Sequence, residues 1–306
     1  MSFDNKLLKA SIDLGTNTCL LLIAEVKAGQ VTQVMRDYAN VIRLGESVDQ
    51  TGYLQSNAMK RALSCLSDYE VKLAEFGILP GEVVCVATSQ ARSARNSNEF
   101  FYQVMKEIGF RFKIISAADE AQFTFFGSLL PDMDSSRCAV VDLGGGSTEF
   151  AALAGGRSVD LGSVRFTERY LTSDPVTDEE FNSCLDKIDN ELEGLKTWRN
   201  SLKDDIEMVA VAGTATTLAS WHLAQKEFNA DEIEKVQLSR EDFLKMVNEL
   251  KYRSVSERLE LLKIEEGRAD VILAGAMIYW RIMEKLDFPL CRISPRGLRY
   301  GVLMTI

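Results

Sequence analysis

Two short segments bring an aspartate, glycines and hydroxyls together. They are Asp13-Leu14-Gly15-Thr16-Asn17-Thr18 and Asp142-Leu143-Gly144-Gly145-Gly146-Ser147-Thr148-Glu149. That combination suits phosphate. Glycines let backbone N–H groups approach a ligand closely, and successive N–H groups in a turn form an anion-binding concavity. Hydroxyls add donors, and an aspartate can hold Mg²⁺ on phosphate oxygens. A lone Asp-x-Gly is an ordinary turn. Three consecutive glycines before Ser-Thr carry a heavier ordering cost, and two such loops in one chain point to two half-domains gripping one phosphate chain from both sides.

Other segments could add to this chemistry. Val211-Ala212-Gly213-Thr214-Ala215-Thr216-Thr217 reads as a strand turning into a helix N-terminus, a third anion contact through Gly213 and Thr214. Plain N-capping by Thr214 explains the same residues. Val86 to Arg95 leaves a strand with hydroxyls and two arginines, Arg92 and Arg95. Arginine suits bidentate phosphate contact, and three-residue spacing puts both on one face if the segment is helical. In Ile114 to Ala121, Ser116 can cap a helix and Asp119 can complete the box. Glu120 there is either an acid favouring the helix dipole or a carboxylate base near the junction of two domains. Arg268, Arg296 and Arg299 are further cations that either line a cleft or sit on the surface.

These residues need scaffolding. Each glycine loop follows an apolar run, Leu7 to Leu14 and Cys138 to Leu143, and leads into another, Cys19 to Val26 and Phe150 to Leu153. The context is strand, turn, strand, unlike the strand-turn-helix of a dinucleotide fingerprint or Walker loop. Further strands are expected at Val31–Arg36, Val83–Ala87, Phe112–Ile115, Ser158–Leu161 and Met208–Ala212. Helices are expected near Asn57–Phe76, Asn98–Ile108, Thr177–Leu195, Thr214–Ala224, Ser239–Leu250 and Gly267–Leu286, with a short one after Ser254. Gly109 stops the second. Thr177 with Glu180, Ser254 with Glu257 and Ser239 with Asp242 form capping-box patterns. The plan repeats, so the fold class is α/β: a duplicated unit whose ligand is expected in an interdomain cleft.

The 306 residues suffice for two domains. A net charge of −10 argues against a nucleic-acid coat protein, and an anionic ligand then requires a locally basic site. Met1 to Lys9 is polar and charged and no apolar stretch reaches membrane-spanning length, so neither a signal peptide nor a membrane partner is expected. The six scattered cysteines, without a Cys-x-x-Cys pair, read as buried, reduced thiols of a cytoplasmic protein. The single histidine, His222, excludes Ser-His-Asp triads and His-cluster metal sites. It is expected on a helix as a packing residue, which leaves base chemistry to carboxylates.

The chain resembles the exopolyphosphatase/guanosine pentaphosphatase family of the actin, sugar kinase and Hsp70 superfamily. The likeness runs nearly end to end. It rests on Ile12 to Thr18, Ala87-Thr88-Ser89 with Arg92, Ile115-Ser116 with Glu120-Ala121, and Asp142 to Glu149. It continues through Leu161-Gly162-Ser163-Val164-Arg165, Gly213 to Thr217, Arg268-Ala269-Asp270 and Ser294-Pro295-Arg296-Gly297-Leu298-Arg299. Thr16 and Thr18 stand where serines are common, Ala117 replaces a usual glycine and Asp119 a usual glutamate.

The resemblance implies two ribonuclease-H-like domains, residues 1–127 and 128–306, with the last helix packing back on the first. It implies Mg²⁺-dependent hydrolysis of terminal phosphoanhydride bonds, with Mn²⁺ as an alternative ion. Glu120 matches the catalytic base. Asp142 and Glu149 match the acidic pair supporting metal and water, with Asp13 joining through water. Gly15, Thr16, Asn17 and Thr18 match the first phosphate loop, and Gly144, Gly145, Gly146 and Ser147 the second. Arg92 matches the phosphate-contacting arginine. Because the chain stops soon after Arg299, a short two-domain form is expected, without the extra metal-binding helical region of long members. The implied substrate is inorganic polyphosphate. The alternatives are conversion of pppGpp to ppGpp, a (p)ppGpp-binding regulatory module with little turnover, and a sugar or acetate kinase. A homodimer is a modest general expectation.

Overall fold

The computed structural model describes residues 8–263 and 266–305. Two compact units divide the chain, one of Met1–Gly127 with Leu298–Ile306, the other of Ser128–Gly297.

In the first unit five strands form one sheet: β1 (Leu8–Leu14), β2 (Thr18–Lys27), β3 (Gln30–Val41), β4 (Val84–Ala87) and β5 (Phe112–Ile114), in the order β3-β2-β1-β4-β5. β1 pairs antiparallel with β2 and parallel with β4, and β4 runs parallel with β5. This is the ribonuclease-H-like sheet, in which strand two alone runs against the rest. Leu7, placed in β1 from sequence, lies outside the described residues. β3 extends five residues beyond the expected Arg36. Residues 37–41 read Asp-Tyr-Ala-Asn-Val and are exposed or half-buried, so hydropathy alone could not show its length. Helix Ser56–Ala74 buries Ala58, Ala62, Cys65, Leu66, Tyr69 and Leu73, an apolar stripe of helical period. Gly109, at φ 94°, ends the segment after helix Ser97–Glu107.

In the second unit the plan recurs: β6 (Cys138–Leu143), β7 (Thr148–Ala152), β8 (Gly155–Val159), β9 (Glu207–Val211), β10 (Gln237–Ser239) and β11 (Leu290–Ile293), in the order β10-β11-β9-β6-β7-β8. β6 pairs antiparallel with β7 and parallel with β9, and β9 with β11 in parallel. β10 adds an antiparallel edge. Three-residue β10 and four-residue β11 are too short to declare a period and were not expected. β8 begins at Gly155, three residues before the run read as a strand, because the Gly155-Gly156 turn already pairs with β7.

All three capping boxes form, at Thr177/Glu180, Ser239/Asp242 and Ser254/Glu257. The single helix expected over Gly267–Leu286 is two, Glu266–Ala269 and Ile272–Lys285, parted at Asp270 and Val271. The second is apolar nearly all round and runs through the core of its unit. All six cysteines are buried free thiols. Among the described residues no helix is long and apolar enough to cross a membrane.

Candidate active site

The two glycine loops occupy the same position in their units, as the turn between the first two strands. In each, the first loop glycine donates its N–H across the turn, Gly15 to Thr18 O and Gly144 to Ser147 O, both at 3.0 Å. The register is identical: Asp13 faces Leu20 and Leu14 faces Cys19, as Asp142 faces Glu149 and Leu143 faces Thr148.

A second segment grips each loop by its carbonyls. In the second unit Ser163 N–H donates to Gly144 O at 3.0 Å, and the Val164 and Arg165 amides to Gly145 O at 2.9 and 3.0 Å. These amides open helix Ser163–Tyr170, which sequence periodicity did not reveal. Thr148 Oγ1 donates to Leu161 O and fixes the approach. Across a trans peptide, C=O and N–H point oppositely. With the Gly144 and Gly145 carbonyls turned to the helix, the N–H groups of Gly145 and Gly146 face away from it, as an anion cradle requires. The first unit does the same with different residues. Ile42 and Arg43 amides donate to Asn17 O at 2.9 and 3.0 Å, and Gly45 N–H to Thr16 O at 2.9 Å, which turns the Asn17 and Thr18 N–H groups the other way. The Ile42–Gly45 clamp was missed from sequence; its one signal was a glycine soon after a long strand.

Asp142 and Glu149 are direct cross-strand partners, so both carboxylates lie on one face of the sheet at the base of the glycine loop. Glu149 is buried, and its Oε1 accepts from Ser147 Oγ and Ser158 Oγ, each at 2.8 Å. Ser158, outside the sequence reading, thus orients this carboxylate. The pair fits Mg²⁺, which binds through one or two carboxylates and completes its octahedron with waters and substrate phosphates. Among the described residues no group of three His, Cys, Asp or Glu side chains forms a metal cage. Asp13 stands at the equivalent place in the first unit, opposite a leucine rather than a glutamate.

Glu120 sits in the first turn of helix Ala117–Ser128, where Ser116 Oγ accepts the Asp119 N–H at 3.1 Å. Its side chain is buried and accepts from Arg92 Nη1 at 2.6 Å, while the same nitrogen donates to Ile115 O at 3.2 Å. Burial pushes the Glu120 carboxyl above its usual range, against the opposing pull of the Arg92 charge and hydrogen bonds from Arg92 and Thr88. Arg92 therefore lies at the candidate base. Arg95 does not share its face: helix Ser89–Ser93 ends before it, Ala94 is extended, and Arg95 stacks over Tyr53 at 5.6 Å.

At the third segment β9 ends at Val211 and helix Ala212–His222 begins at once. The left-handed residue of this junction is Ala212, at φ 71°, rather than Gly213. A non-glycine residue held there is locally strained. Arg268 lies against the turn, its Nη1 3.1 Å from where a Gly213 Cβ would stand and 3.4 Å from Thr217 Oγ1. The structure thus brings a cation to a helix N-terminus, and both attract anions. Arg296 and Arg299 each pair with a carboxylate of their own unit. Arg296 Nε donates to Glu234 at 3.0 Å. Arg299 is buried in a bidentate pair with Asp37 at 2.8 and 2.7 Å, which Tyr300 Oη joins at 3.1 Å. Despite its burial, the charge and hydrogen bonds of Asp37 hold Arg299 above its ordinary pKa. His222, expected to pack, is exposed as the last residue of its helix.

Two ribonuclease-H-like units, each with a clamped glycine loop at the end of its first strand, are built on one repeated plan. The chain belongs to the Ppx/GppA phosphatase family, whose model matches residues 22–306. It is 34% identical to exopolyphosphatase 2 of Mycobacterium tuberculosis H37Rv over 90% of each chain. It is 29% identical to the bifunctional 3-dehydroquinate synthase/phosphatase of Fusobacterium nucleatum over 99% of this chain, yet spans only 47% of that protein. The solved exopolyphosphatase of Cytophaga hutchinsonii superposes with a TM-score of 0.86, at 25% identity and 97% coverage of both chains.

Proposed function

We propose that the protein is an exopolyphosphatase that removes orthophosphate from the end of inorganic polyphosphate with the help of Mg²⁺. The observation that carries this reading is the second loop. Its carbonyls are tied down, its N–H groups turn outward, and a cross-strand carboxylate pair stands at its base. The names of relatives matching over nearly the whole of both chains favour polyphosphate over pppGpp.

In this reading the amides of Gly145, Gly146, Asn17 and Thr18 and the hydroxyls of Ser147, Thr16 and Thr18 bind phosphate oxygens. Arg92 adds charge at the first loop's unit, and Gly213, Thr214 and Arg268 at the second's. Asp142 and Glu149 would hold the ion, which when bound would neutralise charge on the phosphate oxygens. Glu120 takes the proton from water. The water oxygen bonds to the terminal phosphorus, and the bond from phosphorus to the bridging oxygen breaks. Orthophosphate leaves, and the shortened chain keeps the bridging oxygen and its electron pair. A carboxyl raised by burial is a better base near neutral pH than an ordinary one.

The test is phosphate release with Mg²⁺ from long polyphosphate, short polyphosphate and pppGpp in parallel. Release from either polyphosphate supports the proposal. Release from pppGpp alone replaces it with the nucleotide phosphatase. Tight (p)ppGpp binding without release from any substrate replaces it with the regulatory module.

A further inference from the structure

Helix Ile272–Lys285 places Gly275 and Tyr279 one turn apart on a single face. That face touches two segments of the candidate site. At Gly275 a Cβ would stand 2.6 Å from Thr214 Cγ2 and 2.7 Å from Thr214 Oγ1, so the helix backbone lies flush against the Gly213–Thr214 turn. Tyr279 is fully buried, and its hydroxyl donates to Val211 O at 2.6 Å and lies 3.3 Å from Val141 O.

Those carbonyls lie where two paired strands part. β6 and β9 run parallel, and their last pairing is Asp142 with Val211. Beyond it, β6 enters the glycine loop and β9 turns through Ala212 into its helix. The ladder ends there, and the phenol hydroxyl bridges the two backbones. Asp142 directly follows one accepting residue, and the left-handed Ala212 directly follows the other.

We propose that Tyr279 is a positioning residue: its hydroxyl fixes the separation of the β6 and β9 ends, and so the spacing of the Asp142–Ser147 loop from the Gly213–Thr214 turn. Two phosphate-binding elements held at a fixed separation would contact different phosphates of one chain, so Tyr279 governs how tightly substrate binds rather than how fast it reacts. This rests on the reading of Asp142–Ser147 as a phosphate site.

Tyr279→Phe keeps the ring and deletes the hydroxyl. Two readouts decide: substrate saturation with tripolyphosphate, and amide hydrogen exchange over residues 138–148 and 207–217. The expected result is a KM raised about three- to tenfold, the range for one lost hydrogen bond, with kcat nearly unchanged and faster exchange confined to those segments. Trp198→Phe removes a donor to Gly155 O at the start of β8 and is the control; it should change neither. Gly275→Ala, pressing on Thr214 from the same face, should raise KM likewise. Wild-type KM and exchange in Tyr279→Phe, whatever its Tm, would overturn the clamp. Should Asp142→Asn also keep full activity, the site reading itself falls; should Asp142→Asn be inactive beside an unaltered Tyr279→Phe, the clamp alone falls.

Discussion

Gly162→Ala tests whether the second loop must stay where its clamp holds it. Gly162 has φ −137° and ψ 151°, which alanine adopts freely, so the backbone adds no strain. All of the effect is steric. A Cβ there would stand 2.4 Å from Gly145 O and 2.5 Å from the carbonyl carbons of Gly145 and Gly146. The three nearest atoms are all loop backbone, so no side-chain rotation relieves those contacts. Ordinary contact begins at 3.4 Å, so the loop must retreat by about 1 Å. A misplacement of about 1 Å costs on the order of 10²-fold in rate, equivalent to about 2.7 kcal/mol of transition-state stabilisation. Overpacking costs about 1–3 kcal/mol of stability, within the roughly 5–15 kcal/mol of a native protein, so the variant should fold. The assay is phosphate release from short polyphosphate over a full substrate range, with Tm measured alongside. Gly194→Ala is the control: its φ is −63° and nothing lies within 4 Å of the new methyl. It should gain up to about 1 kcal/mol through the unfolded state and keep its activity. Wild-type kcat/KM and Tm in Gly162→Ala would refute the argument that the clamp sets the loop.

Glu120→Gln should lower phosphate release by about 10²–10⁴-fold, and the acid limb of the wild-type kcat/KM profile should fall above the ordinary carboxylate range, since burial raises Glu120. The same shift has a stability sign: a raised folded pKa contributes stability below the unfolded pKa that is lost as pH rises through the folded one. The Tm of wild type relative to Glu120→Gln should therefore decline as pH rises through that window, and a rising difference would contradict the burial argument. Asp37→Asn leaves the buried Arg299 guanidinium without its charge partner and should cost about 3 kcal/mol, read as a lower urea midpoint; an unmoved midpoint would show the pair to be dispensable. Chelation with EDTA should stop phosphate release without altering far-UV circular dichroism, and excess Mg²⁺ should restore it; turnover persisting in chelator would remove the metal from the proposal.

The parts of this protein that could be read from its sequence are those where one residue type has few alternatives. Three glycines with Ser-Thr marked a loop. Thr177/Glu180 and Ser254/Glu257 marked helix starts, because a hydroxyl and a carboxylate three residues apart satisfy each other's backbone donors. The duplicated strand-turn-strand plan followed from apolar runs around the loops. What could not be read are interactions made by backbone and distant partners. The carbonyl clamps at 42–45 and 163–165 use amide N–H groups, which every residue but proline carries. Arg299 and Asp37 lie 262 residues apart, and nothing in Ser294–Arg299 alone distinguishes a buried ion pair from a substrate contact. Arg95 was left open between a helix face and a loop, because a helix of five residues ends before its period can be counted. Tyr279 hid in a helix so uniformly apolar that its hydroxyl looked incidental.

The two loops also show how a repeated fold divides its chemistry. Their strand registers match residue for residue, and both are clamped through backbone carbonyls, Gly144 and Gly145 in the second unit and, one position further along, Thr16 and Asn17 in the first. Position eight separates them. Opposite Asp13 stands Leu20; opposite Asp142 stands Glu149, its Oε1 held by two serine hydroxyls. A leucine cannot ligate a hard cation, so a cross-strand carboxylate pair exists in the second unit alone. The first unit instead carries the buried Glu120 beside Arg92, on helices that follow its fifth and fourth strands. The common topology supplies both units with the same turn. In the proposed reaction metal binding falls to the second unit and base chemistry to the first, each through side chains set around that shared backbone.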